Sequence, residues 1–322
     1  MQQPGREPTP AGSAPADAAH LAAALSAVAE TLWLDWHQRL PGLTVEVRPQ
    51  VGSTNTELLQ RARTGDGTPA VLVAVAQTAG RGRQGRRWLA RPGQALTFSL
   101  GLPWCPQAGD AALLDGLSVA IGVALAEALH PRVRVKWPND LWAFDPTGRP
   151  GKLGGVLIEV TPVAGQLAQR QVVIGVGLNV RPLDDEAPAR GDETPGALAV
   201  LGEPLLQAPP GAPSVPPSMP PTDLHTLSAG AASDPAAVWA RVVPALIEAW
   251  LVFRRDGFAP FASRLAERDA LVGREVTLWS ADGRSQTGRA AGVDGGGRLL
   301  VHTAAGLLTW SAGDVSVRLA ER

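Results

Sequence analysis

Lysine is almost missing from this chain of 322 residues: Lys136 and Lys152 are the only two. Arginine serves wherever a general surface cation is needed, so the two surviving ammonium groups mark a candidate site. An ammonium is a compact point charge on a flexible stem, and the planar fork of arginine cannot copy it at a tight anionic site. Cysteine is limited to Cys105, which excludes an internal disulfide and fits a reducing compartment. Excess charge is missing too: the formal net charge of -1 speaks against a broad nucleic-acid-binding surface. No run reads as long and apolar enough to span a bilayer, and Leu21 to Val28 lacks the charged flank of a signal peptide. A cytoplasmic protein is expected. The five histidines are scattered singly, which excludes a histidine-built metal centre, and no nucleophile elbow or P-loop occurs.

Residues 1 to about 19, rich in Ala, Pro and Gly, are expected to be disordered. Leu21 to Leu40 has helical spacing up to Pro41-Gly42, with no second helix to make a helix-turn-helix. From Leu43 the texture alternates. Strands are predicted over Leu43–Arg48, Val71–Ala76, Ala95–Leu102, Val133–Trp137, Leu153–Val160 and Gln171–Val180, the last two central and joined by a hairpin at Ala164-Gly165. Helices are predicted from the capping box Thr54-Asn-Thr-Glu57 to Arg63, and over Asp110–His130, Pro235–Arg255 and Phe258–Arg268. Residues 182–235 read as a Pro-rich loop or insertion. The last fifty or so residues hold five short strands, a small antiparallel barrel or sandwich.

Five constellations carry chemistry. Gly80-Arg-Gly-Arg-Gln-Gly-Arg-Arg-Trp88 has the letters of a dinucleotide fingerprint. It lacks the apolar helix and the acidic residue that the fingerprint requires. Four arginines among glycines make a mobile basic loop that can wrap a phosphate-bearing ligand, with Trp88 as a stacking surface or lid. In Lys136-Trp-Pro-Asn-Asp140 a strand delivers Lys136, and Asn139 and Asp140 offer oxygens for a cation or for an Asx turn. In Gly151-Lys-Leu-Gly-Gly155, glycines on a strand let a ligand approach the backbone and Lys152 points a charge at it. Ser53-Thr-Asn55 either binds a small polar group or only caps a helix. Asn179 ends the strand Ile174-Gly-Val-Gly-Leu-Asn179. Cations gathered around an anionic ligand, with no covalent nucleophile in view, indicate adenylation or phosphoryl chemistry by positioning and charge stabilisation.

In this order and spacing, these motifs together with Gln77 resemble the biotin protein ligases. The C-terminal segment, closing on Trp310-Ser-Ala-Gly-Asp-Val-Ser-Val-Arg318, resembles their SH3-like domain. The resemblance implies an α+β fold, with a class II synthetase-like mixed-sheet catalytic domain and a small C-terminal SH3-like β-barrel. The division would be a tail and helix at 1–42, a catalytic domain at 43–268 that contains the insertion, and the small domain at 269–322. It implies an enzyme that uses ATP, biotin and Mg²⁺. Biotin is activated as biotinyl-5′-AMP and passed to a lysine of the biotin carboxyl carrier domain of acetyl-CoA carboxylase, with other biotin carboxylases left open as acceptors. Carried over by position, Ser53, Thr54, Asn55, Gln77, Arg81, Gly82, Arg83 and Lys152 would serve biotin. Arg86, Trp88, Lys136, Asn139 and Asn179 would serve the nucleotide, and Asp140 the metal. Lys152 and Arg83 would carry the catalysis. DNA and membrane partners are not expected, and a homodimer stays open. The sister reading is a lipoate–protein ligase, disfavoured because a ureido ring needs polar partners that a dithiolane does not. A biotin-responsive repressor is disfavoured by the missing helix-turn-helix.

Overall fold

The computed structural model describes residues 14–88, 90–106, 114–145, 147–182, 220–227, 234–280, 284–312 and 315–319. A seven-stranded sheet forms its centre. The strands are β1 (Thr44–Val51), β2 (Ala70–Gln77), β3 (Ala95–Trp104), β4 (Val133–Lys136), β5 (Asp140–Phe144), β6 (Pro150–Val163) and β7 (Gln166–Asn179). Their order is β1-β2-β3-β7-β6-β5-β4. β1 and β2 pair in parallel and every other neighbour pairs antiparallel, so the sheet is mixed. β7 and β6 are central, and Gly165 turns between them with φ 75°.

Strand alternation gives this sheet two unlike faces. The even positions Leu96, Phe98, Leu100, Val172, Ile174, Val176 and Leu178 are buried in the main core. They pack with helices α1 (Ala14–Trp36), α3 (Leu117–Leu129) and α5 (Pro235–Asp256). The odd positions lying between those even ones in β3 and β7 are small or polar apart from Val173. Thr97 pairs with Gly177 and Ser99 with Gly175, and Gly177 and Gly175 pair on their other side with Gly155 and Leu157. Among the described helices, α2 (Thr54–Arg63) packs over this face, burying Leu58 and Leu59 against Leu72 and Val173. A Cβ at Gly101 would lie 3.3 Å from Leu58 Cδ1, so small residues let α2 sit close.

Several predicted boundaries move. α1 reaches back to Ala14 and ends at Trp36. The segment 14–19 is helical because alanine, grouped with Pro and Gly in the disorder reading, is the strongest helix former. The helix expected from Asp110 begins at Leu117, since Gly116 is left-handed at φ 79° and a helix cannot run through it. The part of that prediction at 110–113 lies outside the described residues. β5 was not foreseen as a strand. It turns Lys136-Trp-Pro-Asn-Asp140 into a tight hairpin in which Lys136 pairs with Asp140.

One expectation needs amending. By length and composition, α5 is apolar enough to cross a bilayer. It is a core helix here: Trp239, Val242, Val243, Leu246, Ile247 and Trp250 are buried against the other helices and the sheet. Of the insertion, 183–219 and 228–233 lie outside the described residues. Residues 220–222 run beside β6, and α4 (Leu224–Leu227) follows.

After α6 (Ala262–Arg268) come β8 (Glu275–Ser280), β9 (Ser285–Val293), β10 (Leu299–Thr303), β11 (Gly306–Trp310) and β12 (Val315–Leu319). They form an antiparallel sheet in the order β11-β10-β9-β8-β12. Its buried side chains belong to the same core as the helices, and Trp137 Nε1 donates to Gly297 O at 3.0 Å across the junction.

Candidate active site

A continuous polar chain begins where α2 starts. Ser53 caps the helix, its hydroxyl accepting from the Thr56 amide at 3.5 Å. Gln77, ending β2, accepts from the Thr54 amide at 2.7 Å, and the Thr54 hydroxyl lies 3.3 Å from the same oxygen. The buried Ser99 hydroxyl is 2.7 Å from Thr54 Oγ1 and donates to Asn55 Oδ1 at 2.6 Å. Asn55 Nδ2 donates to Leu157 O and to Glu159 Oε2, at 3.3 and 3.0 Å. Arg81 closes the chain, donating to Glu159 Oε1 at 2.9 Å. Thr54, Asn55, Gln77 and Arg81 are therefore brought together. Ser99 and Glu159 are members that the sequence reading missed. The signal for Glu159 was present, since it is the lone charge in an otherwise apolar stretch of β6.

The glycine motif of β7 is explained from above the sheet. A Cβ at Gly175 would fall 2.1 Å from Asn55 Oδ1, and one at Gly177 would fall 2.3 Å from Trp88 Cε2. These glycines are the floor on which Asn55 and Trp88 rest. Trp88 is thus fixed against the sheet, and its buried indole N–H has no hydrogen-bond partner among the described residues.

In this structure the basic loop is folded in. It folds back on itself through Gly82 N–H to Arg86 O at 2.7 Å and Trp88 N–H to Gly80 O at 2.9 Å. Gln84 and Gly85 turn it with φ of 55° and 74°. Arg83 at the tip is half-buried. It donates to Asn139 Oδ1 at 2.9 Å and to Ala312 O of the C-terminal segment. The Asn139 amide also donates to Val156 O at 3.1 Å, so in this structure it braces the loop rather than facing open space. Arg86 lies near Arg318 of β12, a residue the site reading had not singled out. Burial and the Arg86 charge together lower the Arg318 pKa.

Both lysines meet one carboxylate. Lys152 Nζ lies 2.8 Å from Asp140 Oδ1 and Lys136 Nζ 3.4 Å from Asp140 Oδ2. Burial alone would raise the Asp140 pKa, but the charges of Lys152 and Lys136 overcome it and hold the carboxyl at about 2. Burial lowers Lys136, with Asp140 opposing. Lys152 joins the small-residue face through a backbone irregularity. Leu141 pairs with Gly154 and Trp142 with Lys152, so Leu153 is an extra residue. Leu153 is buried in the core, and a Cβ at Gly154 would also point there, 2.8 Å from Leu178 Cδ2. The bulge places both on the core side and returns Lys152 to the opposite face. Asp140 Oδ1 lies 3.5 Å from the Cβ position of Gly155, the neighbour of Gly177. The polar chain, the Trp88 platform and the lysine pair therefore occupy one face.

Two expected roles do not match this geometry. Asp140 does not fit a resident Mg²⁺: both its oxygens face ammonium groups, and the described residues hold no cluster of three metal-ligating side chains. Asn179 points its Nδ2 at Lys152 O and Thr222 O, at 3.3 and 3.1 Å, and so ties backbone together.

Comparison with known proteins identifies the family. The Biotin/lipoate A/B protein ligase family profile matches residues 47–179, and the biotin protein ligase C-terminal domain profile matches residues 271–318. The bifunctional ligase/repressor BirA of Escherichia coli K12 is 34% identical over 293 residues, covering 88% of this chain and 77% of that protein. The biotin–[acetyl-CoA-carboxylase] ligase of Mycobacterium tuberculosis is 32% identical over 282 residues, covering 84% and 88%. The structure of biotin protein ligase from Aquifex aeolicus in complex with biotin and ATP aligns with a TM-score of 0.62 at 25% identity, over 86% of this chain and 99% of that one. On these matches the chain belongs to the biotin protein ligase family.

Proposed function

We propose that this ligase joins biotin to a lysine of a biotin carboxyl carrier domain in two steps. A biotin carboxylate oxygen attacks the α-phosphorus of ATP, and the bond to pyrophosphate breaks. The carrier amine, after losing a proton to solvent, then attacks the acyl carbon of biotinyl-5′-AMP and AMP leaves. The observation that carries the reading is the pair of lysines gathered by Asp140 on a glycine-floored face. Two anions must meet in the first step, and a fixed cation where charge develops is the device that chemistry needs.

Lys152 is the cation at the reacting carboxylate and α-phosphate. Asp140 and Lys136, half-buried behind it, hold it in place. Thr54, Gln77, Asn55 and Ser99 offer the alternating donors and acceptors that a ureido ring requires, with Ser53 completing the wall. Arg81, Gly82 and Arg83 form the cover over biotin and its adenylate, which protects the anhydride from water. Trp88, with its unpartnered indole N–H, and Arg86 face the nucleotide. No step is assigned to a protein-held metal. Residues 43–268 would house the chemistry and residues 269–322 the small domain that receives Arg83. Match to the C-terminal profile of biotin ligases supports biotin over lipoate. Biotin-dependent ATP–pyrophosphate exchange, with lipoate in parallel, tests this: exchange with biotin alone is expected. Exchange with lipoate alone would move the activity to the sister class.

A further inference from the structure

β7 ends at Asn179, but β6 continues past it toward its beginning at Pro150. There the edge of β6 is taken over by the chain returning from the insertion. Lys152 N–H donates to Pro220 O at 2.8 Å and Thr222 N–H donates to Lys152 O at 2.9 Å, a parallel bridge centred on Lys152 and Pro221. Asn179 Nδ2 donates to both Lys152 O and Thr222 O, clamping strand and strap together. A Cβ at Gly151 would stand 2.7 Å from Thr222 Cβ, so glycine is required for the strap to lie this close. His225 N–H then bonds Val180 O at 3.1 Å, and Asp223 caps the following turn through the Thr226 amide at 2.8 Å.

We propose that residues 220–222 are a positioning strap for Lys152, with Thr222 and Asn179 as positioning residues, so that the insertion is coupled to catalysis through the backbone of the catalytic lysine. Both backbone groups of Lys152 are bonded to the strap, and its side chain is bonded to Asp140 on β5. Without the strap, the start of β6 is held on one edge only. This rests on the role given above to Lys152. Such an element governs the orientation of a cation rather than substrate contact, so its loss lowers kcat and leaves KM unchanged.

The test uses the full chain with two readouts. Thr222→Pro removes the amide that donates to Lys152 O. Gly151→Ala pushes the strap off from the other side, and adding Thr222→Gly to it removes the clashing Cβ. Backbone hydrogen exchange reports the Lys152 amide, and biotin-dependent pyrophosphate exchange reports turnover. Expected results are a protected Lys152 amide in the parent protein, protection lost in Gly151→Ala, and kcat down on the order of 10- to 100-fold with KM for biotin and ATP within about twofold. Thr222→Pro should show the same kcat loss, and the double variant should recover both readouts. An unprotected Lys152 amide in the parent, unchanged kcat once protection is lost, or no recovery in the double variant would overturn the strap. A parent protein with a protected amide but no biotin-dependent exchange would overturn the catalytic reading of Lys152 instead.

Discussion

The two faces of the seven-stranded sheet are made by the same strands and do opposite work. On the helix-covered face, Phe98, Leu100, Ile174 and Val176 are buried in one continuous core. One residue along each strand, Thr97, Ser99, Gly175 and Gly177 leave room for Asn55 and Trp88 to lie on the backbone. Side-chain volume on one face supplies stability, and its absence on the other supplies a binding surface. Changes to the first should cost folding free energy, and changes to the second should cost activity.

Lys152→Arg is the sharpest probe of the polar face. It keeps the charge but not the shape, and it should abolish adenylation, with a loss on the order of 10²-fold or more in pyrophosphate exchange. An unchanged melting temperature belongs to the same expectation. Retained exchange would refute the role drawn from lysine scarcity. Asp140→Asn comes next because it leaves two ammonium groups facing each other; breaking a fully buried pair costs about 3–5 kcal/mol, and this partly exposed one should cost less. The pH dependence has a defined sign. The folded carboxyl sits near 2, below its unfolded value, so its stabilisation is present above about pH 4 and is lost as the pH falls through 2. Urea denaturation of parent and variant should therefore differ at neutral pH and converge toward pH 2. A difference that persists in strong acid would contradict the assignment.

A paired experiment tests the faces directly. Leu100→Ala should cost about 2–5 kcal/mol and leave the activity of the folded fraction intact. Gly177→Ala should displace Trp88 and reduce adenylation with a smaller change in stability. If the two variants exchange phenotypes, the division of labour is wrong. The smallest effect on adenylation is expected from Arg83→Gly. It removes the links to Asn139 and Ala312, and adenylate should escape to label bystander lysines. Labelling confined to the carrier domain would remove Arg83 from the cover.

Much of this was legible from local pattern. The apolar runs of β2, β3, β6 and β7 announced a buried sheet, and the box Thr54-Asn-Thr-Glu57 marked the start of α2, although the residue that caps it is Ser53 and not Thr54. Glu159 stood out as a lone charge in an apolar strand, but Ser99 was harder, because a small polar residue in a strand acquires meaning only when its neighbours across the sheet are known. The Gly80 to Trp88 loop looked mobile because glycine and arginine have no packing preference of their own. In the structure it folds back through a backbone turn and rests on the sheet through Trp88, neither of which is a local property.

The sequence by itself determined the scarcity of lysine, the alternation that separates an apolar from a small-residue face, and the motifs that mark the ligase family. Those follow from residue type and a period of two, which need no knowledge of partners. Only the tertiary structure decided where Lys152 points. By strand parity it belongs with the core residues, and the bulge at Leu153, held between β5 on one edge and residues 220–222 on the other, turns it to the opposite face beside Asp140. A bulge arises from pairing between strands, so it could not be read from either strand alone.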